Sequence, residues 1–287
     1  MKFFQPGHDL YLPNPSVPAA EALARVTHLC VGAHQDDIEI MAHTAIAECF
    51  GRRDLSFAGV VVTNGSGSPR SGVYADLTDE QMRAVRREEQ RAAAAIGRYG
   101  ACLQLDHPSA LVKDGARDEV RADLRQLFAA TRAQCLYLHN PADKHDTHIA
   151  VFHRCLEALR ALPAGDRPAQ VIGCEVWRDL DWLGDDRKIA LPTTERPHLA
   201  AALLGVFDSQ IAGGKRYDLA VQGRRLAHAT FHQSHAVDAA NSLTWGVDLT
   251  PLVQSDHLDP ADYIAGLIEE FRADVQARVR RFARPAR

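Results

Sequence analysis

Short apolar runs alternate with longer stretches of helical period along residues 28–177, and few architectures accommodate that order. "HLCVGA" (28–33), "FAGVVVT" (57–63), "CLQLD" (102–106), "CLYLHN" (135–140) and "AQVIGCEVW" (169–177) are short and rich in β-branched or aromatic residues, which predicts strands. Between them, residues 40–50, 79–100, 117–133 and 147–162 carry apolar positions at i, i+3, i+4 and i+7, which predicts amphipathic helices. Strand–helix–strand repetition implies a three-layer α/β/α fold: a mostly parallel sheet with helices on both faces, joined by right-handed crossovers. Beyond residue 190 the pattern changes. Helical stretches near 196–209, 216–230 and 259–283 surround the irregular "HQSHAVDAANSLTWGVDLTP". No linker-like composition separates this part, so one domain is expected over 1–287, with an N-terminal arm (1–25) and a C-terminal helical and irregular extension (190–287).

The formal net charge is -4, so no overall basic field favours nucleic acid. The basic end, "RVRRFARPAR", reads as a solvated helix terminus. No apolar run reaches the roughly 18 residues of a membrane span. The first 18 residues hold four prolines and no apolar core of a signal peptide. Six scattered cysteines form no C-x-x-C pair, which suits buried thiols in a reducing, cytoplasmic setting.

In open parallel sheets, ligands sit outside the carboxyl ends of the strands. Polar loops follow the first four predicted strands there: "HQDDIE", "TNGSGSPRSG", "HPS" and "HNPADKHDTH". His34 and Asp37 stand three apart where a strand turns into a helix. His145 and His148 repeat that arrangement over a hundred residues later. His34, Asp37 and His148 make a set of two nitrogens and one carboxylate that suits one Zn²⁺ with a position left for water. Asp36 is then placed to take a proton from that water, and His145, as an imidazolium, to stabilise a developing oxyanion and hand a proton to the leaving amine. Asp146 is expected to orient His145, and Glu39 to support a ligand histidine. These ingredients describe hydrolysis of an amide or related acyl bond.

"AHQDDIEI" resembles the A-H-x-D-D-x-E signature of the LmbE-like, or PIG-L, zinc de-N-acetylases. "VRREEQRAAAAIG" (85–97) is similar to that family's R-x-x-E…A-A…G helix, "DKHDTH" to its D-x-H-x-x-H segment, and "LLGVFDSQI" (203–211) to its late S-Q helix. The resemblance implies a Rossmann-like fold and removal of an acetyl group from an N-acetylglucosamine-type sugar or conjugate. It also implies Arg86 as a substrate contact and Tyr217 as an oxyanion contact. Gln35 stands where the family commonly has Pro, "HDTH" replaces H-P-D-H, and "TNGSG" lacks the acid of the T-x-G-E loop. The family also contains a hydratase. Hydration of a small unsaturated acid, or metal and sugar binding without catalysis, is therefore the alternative expectation.

"GSGSPRSG" (65–72) lacks the G-K-[ST] ending of a P-loop and reads as a lid, with Arg70 able to meet an anionic or sugar group. Trp177 and Trp182 are each either core residues or a stacking platform for a sugar ring, and Arg178 and Asp179 are candidate hydroxyl contacts. His232 and His235 have ligand-like spacing without a nearby carboxylate; His43 and His153 read as packing residues. The expected partner is a small amino-sugar substrate, and a homo-oligomer is left open.

Overall fold

A computed structural model describes residues 1–283; the last four residues of the basic terminus lie outside them. The strands are β1 (Asp9–Tyr11), β2 (His28–Gly32), β3 (Phe57–Thr63), β4 (Ala101–His107), β5 (Cys135–His139), β6 (Gln170–Cys174), β7 (Lys188–Pro192) and β8 (Leu243–Asp248). They form one sheet in the order β1-β4-β3-β2-β5-β6-β8-β7. Strands β2 to β6 are parallel to one another, whereas β1 joins β4, and β8 joins β6 and β7, antiparallel. The chain runs outward from β2 through β3 and β4, then returns to place β5 on the other side of β2. The gap between β2 and β5 is therefore the topological switch point, where α/β sheets bind ligands.

Helices α1 (Ala19–Ala24), α2 (Asp37–Met41), α3 (His43–Cys49) and α4 (Asp79–Gly97) belong to the first half, with α5 (Ser109–Lys113), α6 (Glu119–Thr131) and α7 (Asp146–Arg160). The C-terminal part adds α8 (Pro197–Gly205), α9 (Asp208–Ile211), α10 (Tyr217–Phe231), α11 (Thr250–Gln254) and α12 (Pro260–Arg281). Strand alternation sorts the two faces. Leu29, Val31, Leu136 and Leu138 meet residues such as Leu124 of α6 and Phe152 of α7. Cys30, Cys135 and Tyr137 point the other way, into a core shared with Ile46 of α3, Ala93 of α4 and Leu203 of α8. All six cysteines are free and buried. Among the described residues no helix is long and apolar enough to cross a membrane.

Three strands fall where sequence periodicity predicts none. The arm contributes β1, clamped by Arg91, whose Nε donates to Asp9 at 2.8 Å. The segment expected to be irregular contains β8, whose Leu243, Trp245 and Val247 alternate into the core. The helix expected over 40–50 is two short helices broken at Ala42 (φ -118°).

Glu175 locks the antiparallel edge. Its buried carboxylate accepts hydrogen bonds from the Trp245 N–H (2.9 Å), the Leu180 N–H (2.6 Å) and the Thr244 hydroxyl (2.8 Å), and meets His228 Nε2 at 3.1 Å. Burial opposes its charge, but the His228 hydrogen bond and charge, with the amide donors, hold it below the usual carboxylate range. We expect Glu175→Ala to cost about 3–5 kcal/mol in denaturant unfolding at neutral pH. A depressed carboxyl stabilises above its unfolded value, about 4.3, and loses that contribution as pH falls through its folded value. The gap between the two proteins should therefore close in acid.

Candidate metal centre and pocket

The β2 exit turns sharply into α2. A Cβ on Gly32 would lie 2.9 Å from the Asp37 Cβ, so the helix start passes directly over the strand end. Asp36 absorbs the bend with φ 94°, a left-handed conformation that costs a non-glycine residue about 1–3 kcal/mol. Two groups from α4 hold it there. Gln90 Oε1 accepts the Asp36 N–H at 3.3 Å, and the buried Arg86 guanidinium donates to Asp36 Oδ2 at 2.9 Å and to the Gln35 carbonyl.

The β5 exit is organised by Asp143. One carboxylate oxygen accepts the N–H groups of Lys144 (2.5 Å) and His145 (3.2 Å). The other accepts the Trp177 N–H at 3.2 Å and sits 3.2 Å from His148 Nδ1. The proton of His148 therefore belongs on Nδ1, which leaves Nε2 as a lone pair aimed at the β2 exit.

There the two loops converge. His148 Nε2 lies 3.2 Å from His34 Nδ1 and 3.4 Å from Asp37 Oδ2, and His34 Nδ1 is 3.3 Å from that oxygen. Ligands about 2.0–2.1 Å from one tetrahedral ion stand roughly 3.3–3.4 Å apart. The three donors match that spacing. Burial lowers His148 to about 4, so its imidazole is neutral, as a ligand must be.

Two further histidines border the cluster. His139 Nε2 is 3.4 Å from Asp37 Oδ2 but accepts the Ala33 N–H at 2.8 Å, so its lone pair is already used. His145 lies close enough to offer a nitrogen beside His34 and His148. Burial, then the His34 charge, lowers its pKa.

A cavity of about 700 Å³ opens over these groups. Its lining includes Asp36 and His145, Gly65 and Gly67–Pro69 of the loop after β3, and Trp177, Lys215, Tyr217 and Val221. Gly65 (φ 70°) lets that loop lie close, since a Cβ would meet Gln35 Oε1 at 2.5 Å. Burial, then the Asp36 and Asp37 charges, raises the Asp36-facing Tyr217 hydroxyl's pKa, so it remains a donor. Asp36 itself is raised to about 6, chiefly by burial and partly by Asp37, with Arg86 opposing.

Other expected site residues take different places. Glu39 accepts hydrogen bonds from Tyr99 (2.7 Å) and Gln90 (2.8 Å) rather than meeting a ligand histidine, and burial raises it to about 8. Asp146 is exposed, and the carboxylate that meets a histidine ring is Asp143, at His148 rather than His145. Arg70 is tied to the Ser66 carbonyl and to Asp79, both at 2.6 Å. Arg86 lines the cavity but spends its charge on Asp36 and Glu89. Trp182 packs partly buried against the core and Arg178 is exposed, as is His235. Among the described residues neither His232 nor His235 joins a metal-type cluster. His43 is buried 3.4 Å from the Glu195 carbonyl, and His153 is half-buried against Phe152. Asp143 and His139 were missed; the acid of "DKHDTH" and the histidine closing "CLYLH" were the available signals.

Residues 29–159 match the family described as GlcNAc-PI de-N-acetylase, PIG-L. That segment holds every group of the metal cluster and Asp36, but none of α8–α12. The uncharacterized deacetylase YaiS of Escherichia coli (strain K12) is 26% identical over 149 residues, covering 51% of this chain and 72% of that protein. Among solved structures, the N,N'-diacetylchitobiose deacetylase of Pyrococcus horikoshii has a TM-score of 0.59 at 15% identity, over 76% of this chain and 82% of that one. The 4-carboxy-2-hydroxymuconate hydratase of Pseudomonas putida KT2440 has a TM-score of 0.55 at 19% identity, over 78% and 95%. These two likenesses are of fold.

Asp143→Asn should present an amide N–H to His148 Nδ1 and favour the proton on Nε2. We expect divalent-metal affinity, measured by competition with a chelating dye, to fall about 10–100-fold while the fold persists.

Proposed function

We propose that this chain, which carries a PIG-L (LmbE-like) domain over residues 29–159, is a metal-dependent deacetylase. Its substrate would be an N-acetylglucosamine-type amino sugar or a conjugate of one. The observation that supports this reading most is the spacing of His34, Asp37 and His148, with the Asp36 carboxylate beside them in the same cavity. Two nitrogens and one carboxylate oxygen suit Zn²⁺. Such an ion would polarise the amide carbonyl and acidify the attacking water.

The chain's own groups supply the rest. Asp36, fixed by Arg86, accepts a proton from the attacking water and returns it to the nitrogen of the departing sugar amine. Water and amide become acetate and amine, so the balance closes. His145 and Tyr217 donate hydrogen bonds toward the oxygen that gains charge as the carbonyl carbon becomes tetrahedral. Trp177 forms an aromatic wall, with its ring near-parallel to His145 and Lys215 Nζ 5.1 Å over its centroid. About 700 Å³ falls in the roughly 300–1,000 Å³ range of small-molecule sites, room for a conjugate larger than one acetamido ring.

Protein loaded with zinc should release acetate from at least one member of a panel of N-acetylglucosamine conjugates, and chelation should abolish that release. Asp36→Asn should lower kcat by about 10²–10⁴-fold at unchanged metal content. A variant that retains full turnover removes Asp36 from the chemistry. No acetate from any conjugate, together with loss of ultraviolet absorbance on unsaturated dicarboxylates, would replace deacetylation with hydration.

A further inference from the structure

Helix α12 meets the body only through its first half, where Glu270 accepts two hydrogen bonds from Arg187, at 2.8 and 2.9 Å. Ile264 and Leu267 are buried, but from Ile268 to the helix end every residue except Gln276 is exposed. Beyond Glu270 this leaves roughly 16 Å of helix standing clear of the sheet. An isolated helix of that length is marginal in water. It nevertheless carries an apolar stripe in the open: Ile268, Phe271, Val275, Val279 and Phe282. The gaps along that stripe are three, four, four and three residues. A mean near 3.5 is the spacing of a two-helix seam. The order of gaps is also the same in both directions, with Val275 at the centre.

We propose that α12 is the interaction surface for a second copy of this chain, paired antiparallel about a two-fold axis at Val275. In that register Ile268 lies across from Phe282 of the other copy, Phe271 from Val279, and Val275 from itself. Charge selects this orientation. Glu269 and Glu270, which within one copy also meet Arg272 and Arg187, come level with Arg281 and Arg280, whereas a parallel pair would set each acidic pair against its own equivalent. Arg272 and Arg278 meet at one level, and each already has a partner in its own helix, Glu269 at 2.7 Å and Asp274 at 2.8 Å. The acidic half of the exposed helix also disfavours an anionic lipid surface as the occupant.

The register gives a direct test on the full-length protein. Because the native cysteines are buried, Val275→Cys places a lone accessible thiol at the axis, where its Cβ would meet its own copy within disulfide reach. Mild oxidation should give a covalent dimer with Val275→Cys and little with Ala273→Cys, on the opposite face. Sedimentation should show a concentration-dependent dimer that Phe271→Glu dissolves. Adding Val279→Lys to Phe271→Glu should restore it, since the two new charges face each other only across an antiparallel pair. Circular dichroism confirms that the helix persists in each variant. A monomer at every concentration, equal cross-linking at 273 and 275, or a monomer that binds phosphatidylserine vesicles through this helix would each overturn the proposal.

Discussion

Arg86 is the constraint on which the site depends. It is a buried guanidinium in the middle of α4, and desolvating such a cation costs several kcal/mol unless its donors are matched. Asp36, the Gln35 carbonyl and Glu89 take its two terminal amino groups, the last at 3.2 Å, while Nε is buried without a partner. Glu89 in turn accepts the N–H (2.6 Å) and hydroxyl (2.7 Å) of Ser209 in α9. One cation thus joins the strained turn after β2, the long helix over the sheet, and a helix from the C-terminal part. The left-handed Asp36 is affordable because Arg86 makes every relaxed alternative worse: a freed Asp36 would leave buried charge unmatched.

The C-terminal part is tied to the same turn from the other side. Arg225 of α10, lowered to about 10 by burial, donates to the carbonyls of Glu39 and Ile40, both at 3.0 Å. Those carbonyls lie at the end of α2, where unpaired acceptors would otherwise remain. Three residues on, His228 reaches Glu175 and the β6–β8 edge. Helix α10 therefore bridges the turn after β2 and the antiparallel edge, and the turns before those anchors carry Tyr217 and Val221 into the cavity. A wall built outside residues 29–159 is in this way held in register with donors built inside them.

The sequence made the central sheet readable because β2 to β6 are continuous apolar runs, as strands covered on both faces must be. It also made the two loops readable, since His34, Asp37 and His148 stand at strand exits. What it concealed has a common cause: side chains whose partners are distant in the chain. Nothing local distinguishes Asp143, which orients His148, from Asp146, which points to solvent. Glu39 sits in the acidic motif yet faces Tyr99 and Gln90, and with its pKa near 8 it serves as a hydrogen-bonding group rather than a charge at neutral pH. Strand β8 was hidden because its alternation lasts six residues within a polar segment, and an antiparallel edge needs no flanking helix to announce it.

Charge accounting explains why the cluster points to a cation. Asp36 has Arg86, and Glu89 shares it. Asp37 has no such partner: the groups around its Oδ2 are the His34 amide N–H and three imidazoles. His148 is neutral with its Nε2 lone pair facing the carboxylate, and the His139 Nε2 already accepts from Ala33. Beyond the one donor there, the His34 N–H, the carboxylate faces the lone pairs of His148 and His139, an unfavourable contact because both sides are acceptors. Protonating His148 would relieve that contact, but burial opposes it, and its other nitrogen is already committed to Asp143. A divalent ion held by Asp37, His34 and His148 removes the conflict by converting mutual repulsion into shared coordination. The arrangement that is costly as a set of acceptors is thus the one a metal requires.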